Sequence, residues 1–135
     1  AEVWSATSFN LLRKDGMEVE RENRLNPTKE AKTPYVTEQF SDSDIPIIAS
    51  TDYMRSYAEQ IRPYIDSEYY VLGTDGYGRS DSRESLRSFF EIDAKNIAAT
   101  AAYALFKKGD IDKKEVNKIY KDLGIDASKP NPWEV

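Results

Sequence analysis

The stretch IPIIASTD, residues 45–52, decides the fold class of this 135-residue chain. Its apolar run Ile45–Ala49 is typical of a short β-strand that is buried on both faces. Ser50, Thr51 and Asp52 follow, and their side chains can cap the start of a helix. The stretch therefore predicts a strand-to-helix junction of the kind found in parallel α/β sheets.

Working outward from this junction, the sequence predicts one strand on each side. A helix is expected from Tyr53 to about Pro63, because apolar residues recur there at helical spacing and proline ends the pattern. The run Tyr69–Leu72 then predicts a strand that stops at Gly73. Near the start of the chain, Val3–Ser5 is a third strand candidate.

The N-terminal region is strongly polar after its first apolar turn. A helical turn is expected to begin with Ser5, Thr7 or Ser8 as its cap. A separate charged helix is predicted near Met17–Asn23, followed by a loop that contains Pro27 and Pro34.

Three further helices are predicted in the C-terminal half. Asp81 with Glu84 and Asp112 with Glu115 have capping-box spacing, and Asp93 is a single N-cap candidate. The second and third of these helices are expected to end at glycines, which are Gly109 and Gly124. Residues 128–135 contain two prolines and predict no regular structure.

Alternating strands and helices predict an α/β fold, with a small, mostly parallel sheet and helices on both faces. The length suits one domain over residues 1–135. Three strands are few for such a sheet, so a missing first strand, ahead of Ala1, is expected.

Composition excludes several functions. The formal charge is -5, with 24 acidic and 19 basic residues, which disfavours nucleic-acid and membrane partners. The chain has neither histidine nor cysteine, so it lacks a Ser-His-Asp triad, a thiol nucleophile and a Cys/His zinc site. A cytoplasmic location is expected by default.

The candidate site is the segment Gly73–Ser80, the glycine loop, between a predicted strand and a predicted helix. Open α/β sheets bind ligands at such positions, and backbone N–H groups there can hold an anion. The alternative is a structural turn, built on the Asp75-Gly76 pair, in which glycines adopt positive φ. The glycine spacing matches neither common phosphate-binding motif.

Arginines extend this site beyond the loop. Arg79, Arg83 and Arg87 are four residues apart, so on one helix they would share a face and could contact acidic groups of a neighbouring domain. The alternative is a solvated face on which they pair with nearby carboxylates. The interaction candidates in full are Asp75, Tyr77, Arg79, Ser80, Asp81, Arg83 and Arg87.

Several motifs resemble a known family. The segment ASTDYM at 49–54, the block YVLGTDGYGRSDSRE at 70–84, FEIDA at 90–94 and KGDIDK at 108–113 are similar to the C-terminal domain of the homodimeric pyruvate dehydrogenase decarboxylating component. VWSATSF at 3–9 matches in order as well. The resemblance covers almost the whole chain, and the long block is its most specific part.

The resemblance implies a three-layer domain of transketolase C-terminal type. In that family thiamine diphosphate and magnesium lie between the two preceding domains, at a homodimer interface. Pyruvate is decarboxylated there, and its acetyl group passes to the lipoyl group of the dihydrolipoyl acetyltransferase component. No catalytic or cofactor-binding residue of the family has a counterpart in this chain, so the chain alone is expected to be inactive. The implied partners are the rest of the subunit, its homodimer mate and the acetyltransferase.

Overall fold

The computed structural model describes residues 1–41 and 44–135. The chain divides into two compact units. One contains Ala1–Asp44 with Ser56–Ser67, and the other contains Ile45–Arg55 with Glu68–Val135.

The first unit is helical. Its elements are α1 (Phe9–Leu25), α2 (Tyr35–Phe40), most of α3 (Arg55–Glu59) and a 3₁₀ turn at Arg62–Tyr64. Its buried apolar residues are Val36, Ala58, Ile61 and Ile65.

Helix α1 confirms one N-terminal expectation and corrects two. The Ser8 side chain accepts a hydrogen bond from the Leu11 N–H and caps the helix, as one of the three proposed caps. The predicted separate helix at 17–23 is wrong, because α1 continues without a break to Leu25 and ends just before Pro27. The predicted strand at Val3–Ser5 is also wrong, since these residues are exposed and form no regular structure.

The second unit contains the sheet. Strands β1 (Ile47–Ser50) and β2 (Tyr69–Leu72) pair in parallel, with Ile47 opposite Tyr69. The parallel pairing and the position of β2 confirm the sequence-based expectation, and β1 begins two residues later than predicted. In place of one helix from Tyr53 to Pro63, α3 ends at Glu59 and Pro63 lies in the 3₁₀ turn.

Three helices follow β2: α4 (Arg83–Phe89), α5 (Ala94–Lys108) and α6 (Lys113–Leu123), with a 3₁₀ turn at Pro132–Glu134. The caps of α5 and α6 were predicted correctly. Asp93 accepts a hydrogen bond from the Asn96 N–H, and Asp112 with Glu115 forms a reciprocal capping box. Both helices end at a glycine in the left-handed region.

The predicted capping box of Asp81 and Glu84 is wrong. Helix α4 starts one residue later, because the Ser82 side chain accepts the hydrogen bond from the Ser85 N–H. Asp81 instead accepts a hydrogen bond from the Ser82 N–H, at 2.6 Å.

The core of the second unit contains buried residues of β2, α5 and α6, and β1 packs against α5. Small buried residues on α5, including the fully buried Ala104, allow this close packing. Tyr120 on α6 donates a hydrogen bond to the Ala99 carbonyl, at 3.1 Å, and burial raises the pKa of its hydroxyl. Together these contacts hold the sheet from which the candidate site extends.

Candidate functional site

The parallel strands bring two loops to the same edge of the sheet. The Thr51 N–H donates to the Leu72 carbonyl (3.0 Å), and the Thr74 N–H donates to the Tyr53 carbonyl (2.8 Å). The Thr74 hydroxyl also donates to the Asp52 carbonyl, at 3.2 Å. The backbone after β2 is therefore fixed against the backbone after β1.

The close approach of these loops explains Gly73. A Cβ atom on this residue would lie 2.6 Å from the Arg55 nitrogen and 2.8 Å from the Tyr53 carbonyl oxygen, and real Cβ atoms do not approach that closely. Gly76 has a different role, since its φ of +120° lies in a region that side chains disfavour. Gly78 has neither constraint.

Asp52 and Arg87 form a two-pronged ion pair beside this loop. Arg87 Nε donates to one carboxylate oxygen at 3.0 Å, and Nη2 donates to the other at 2.7 Å. The hydrogen bonds from Arg87 lower the pKa of Asp52, and the positive charge of Arg83 lowers it further. The same pair raises the pKa of Arg87. Asp52 thus remains ionised and neutralises one of the three candidate arginines.

The other two arginines have different surroundings. Because α4 begins at Arg83, the prediction that Arg79 shares a helical face with Arg83 and Arg87 is wrong. Arg79 lies in the loop, with its guanidinium carbon 4.3 Å from the centre of the Phe89 ring. Within the described residues, neither Arg79 nor Arg83 has a hydrogen-bond acceptor or an ion-pair partner, so their N–H donors can bind an anionic group.

An open pocket of about 420 Å³ is lined by most of the predicted site residues. Leu86, Phe90 and Ile92 supply its apolar part. Its polar border includes Tyr77, Arg79, Asp81, Arg83 and Arg87, all predicted from the sequence, and Asp52. We call it the loop pocket.

Two of the predicted residues lie elsewhere. Asp75 borders a smaller pocket with residues 131–133, and its carboxylate accepts a hydrogen bond from the Arg55 N–H at 3.4 Å. Ser80 borders a third pocket, together with Arg79 and Asp81.

Sequence reasoning missed two residues that shape the site. Asp52 is 35 positions from its partner Arg87, and the signal that could have found it is its place directly after β1, at the same sheet edge as the glycine loop. Lys129 contacts the end of α4 from near the C-terminus. No local pattern marks that contact.

The chemistry that these residues offer is binding. Guanidinium groups hold carboxylates or phosphates, and the apolar floor can accommodate a nonpolar group beside them. No group of three or more potential metal ligands occurs within residues 1–41 and 44–135. No helix in the same ranges is long and apolar enough to cross a membrane.

Comparison with known proteins identifies the family. Residues 1–93 match the family described as Transketolase-like TK C-terminal domain, and the chain belongs to this family. It is similar over nearly its whole length to proteins named pyruvate dehydrogenase E1 component. The relative from Pseudomonas aeruginosa is 53% identical over 135 residues, or 99% of this chain. Those from Escherichia coli K12 and Cupriavidus necator are 47% and 44% identical, over 98% and 100% of the chain.

These matches confirm the resemblance inferred from the motifs, namely to the C-terminal domain region of the homodimeric bacterial enzyme. The chain spans 15% of the length of each of these relatives.

Proposed function

We propose that this chain acts as a C-terminal structural and interaction domain of a pyruvate dehydrogenase E1-type subunit. The observation that carries the proposal is 44–53% identity over 98–100% of the chain to proteins of that name. In this proposal residues 1–135 make up a single domain of three-layer type. The rest of the subunit would complete its sheet, because the described residues form two paired strands, fewer than a typical sheet contains.

The chemistry of the subunit is assigned to its other domains. There, pyruvate would be oxidatively decarboxylated with thiamine diphosphate and magnesium, and its acetyl group transferred to the lipoyl group of the acetyltransferase component. Residues 1–135 would contribute to a cytoplasmic homodimer and to contacts with complex partners. The chain contains no histidine and no cysteine, which supports assigning the chemistry to the other domains.

The interaction surface is proposed to be the loop pocket with Arg79 and Arg83, which have no ion-pair partner among the described residues. Arg79 is already oriented by Phe89, so binding a carboxylate would restrict little additional side-chain freedom. Arg83 adds a second cation at the same border. Acidic side chains of a neighbouring domain or subunit would fit this arrangement.

Two measurements test the proposal. The subunit produced from its natural gene is expected to have a mass several times the 15.4 kDa of this chain. The purified chain, given pyruvate, thiamine diphosphate and magnesium, is expected to show no decarboxylation above background. A natural product of 15.4 kDa, or measurable turnover by the chain, would contradict it.

A second candidate function is an autonomous anion-binding or regulatory module. It is favoured by the side-chain N–H donors of Arg79 and Arg83, which border an open pocket and have no acceptor in the part of the chain that the structure describes. Arg79→Ala separates the candidates, with Arg21→Ala on the exposed side of α1 as the control. Loss of phosphate or nucleotide binding by the chain alone supports the module. An effect seen only in the whole subunit or complex supports the first proposal.

A further inference from the structure

Residues 125–135, the C-terminal segment, lie against the end of α4 through one side chain. The Lys129 ammonium donates hydrogen bonds to the carbonyls of Ser88 (2.8 Å) and Phe89 (2.7 Å). It also lies 3.4 Å from a carboxylate oxygen of Glu91. A cation at this position gives carbonyls of the last helical turn a strong donor, and it opposes the negative end of the helix dipole.

The backbone at the end of α4 places Glu91 for this contact. The Glu91 N–H donates to the Ser88 carbonyl and the Ile92 N–H donates to the Arg87 carbonyl, which together form a Schellman motif. Glu91 occupies its left-handed position, with φ of 60°, where glycine is usual. A side chain there costs about 1–2 kcal/mol of backbone strain, and in this chain it supplies the anion that faces Lys129.

The segment also approaches the glycine loop, where the atoms nearest to Gly76 are backbone atoms of residues 132 and 133. A Cβ on Gly76 would lie 3.1 Å from the Pro132 oxygen and 3.2 Å from the Trp133 Cα. The Asn131 side chain accepts a hydrogen bond from the Trp133 N–H and starts the 3₁₀ turn there. Trp133 is 52% exposed, so about half of its surface is covered and also holds the segment.

Between α6 and Lys129 the chain is held by local bonds. Asp126 accepts hydrogen bonds from the side chain and the backbone N–H of Ser128, and these bonds lower the pKa of its carboxyl. These bonds are made within the segment itself. The bonds of this turn therefore need not break when the Lys129 contacts do.

We infer that the C-terminal segment is a detachable element that holds the glycine loop in place, with Lys129 as its polar attachment to the end of α4. When the segment is attached, Pro132 and Trp133 lie against Gly76 and close one side of the small pocket beside Asp75. When it detaches, that side of the glycine loop becomes accessible, and the loop loses its contacts with residues 132 and 133. This inference concerns the fold and does not depend on the proposed function.

Hydrogen exchange measured by mass spectrometry on Lys129→Met tests the inference. Methionine keeps the unbranched stem and removes the donors and the charge. Loss of hydrogen bonds from a charged group predicts about tenfold faster exchange in peptides covering residues 73–78, 88–92 and 130–135. Peptides from α5 should not change. A chain that ends at Ser128 should show the same acceleration in the first two peptides.

Lys121→Met, which changes an exposed lysine in the last turn of α6, is the matched control and should leave all these peptides unchanged. Two outcomes would overturn the inference. One is unchanged exchange in residues 73–78 in both the substituted and the shortened chain. The other is equal acceleration in α5, which would mean that Lys129 supports global stability and not a detachable segment.

Discussion

The glycine loop offers a matched pair of substitutions, Gly73→Ala and Gly78→Ala. Both add one methyl group to the same loop, and neither position has a positive φ. At Gly73 the new Cβ would lie 2.6–2.9 Å from three backbone atoms of residues 53 and 55, which cannot rotate away as a side chain could. Overpacking of this kind typically costs about 1–3 kcal/mol. Because the obstructing atoms are backbone, we expect Gly73→Ala to lower the free energy of unfolding by about 2–3 kcal/mol.

At Gly78 the added Cβ would meet no atom within 4 Å. Alanine there restricts the unfolded chain without a clash, so we expect no loss, and a gain of up to about 1 kcal/mol. The difference in the free energy of unfolding is measured by urea denaturation of the two variants and the unsubstituted chain, monitored by circular dichroism. The comparison requires that the free energy of unfolding depends on urea concentration with the same slope in all three proteins. If Gly73→Ala were as stable as Gly78→Ala, the proposed close contact between the loops after β1 and β2 would be refuted.

Two other substitutions probe the separate units. In the first unit, Gly16→Ala should improve helix propensity by about 1 kcal/mol, but its Cβ would lie 2.5 Å from the Tyr64 ring. We therefore expect the free energy of unfolding, measured by urea denaturation, to fall by about 1 kcal/mol. An increase would show that the Tyr64 ring moves aside to accept the methyl group. In the second unit, Arg87→Met should raise the pKa of Asp52, because the hydrogen bonds from Arg87 to this carboxylate are lost. NMR of the carboxyl carbon measures this pKa. Because the pKa of Asp52 is lower in the folded state than in the unfolded state, its ion pair stabilises the fold at pH values above the unfolded pKa. The original chain should therefore be more stable than Arg87→Met at neutral pH, and this difference should fade below about pH 4. An unchanged pKa of Asp52 would contradict the ion pair.

The helix ends that sequence reasoning predicted correctly depend on residues close together in the chain. Asp112 and Glu115 satisfy each other's backbone N–H groups within one turn, and Gly124 ends the same helix through its own left-handed φ. Such signals can be read from the sequence because the bonding partners are at most a few residues apart. The error at Asp81 has the same local origin, since the adjacent Ser82 competes successfully for the capping position.

Features that need distant partners were not predictable in this way. Val3–Ser5 has the composition of a strand, but a strand also requires a neighbour for its backbone, and composition does not reveal one. For Arg87 the sequence suggested either acidic groups of a neighbouring domain or nearby carboxylates as partners, whereas the structure pairs it with Asp52 after a different strand. Lys129, 40 residues from Phe89, was missed for the same reason.

The candidate surface is consequently a property of the folded unit and not of the glycine loop alone. A peptide containing residues 70–91 would keep Arg79, Arg83 and Arg87, but its four carboxylates outnumber these three arginines and leave it a net charge of -1. It would lack Asp52, which neutralises one arginine, and Lys129, which supports the end of α4. All three arginines would then be mobile on a peptide with no net positive charge, so we expect it to bind anions much more weakly than the intact chain, with an affinity that falls as salt is added. Selective recognition by the intact chain would instead depend on two oriented arginines beside an apolar floor.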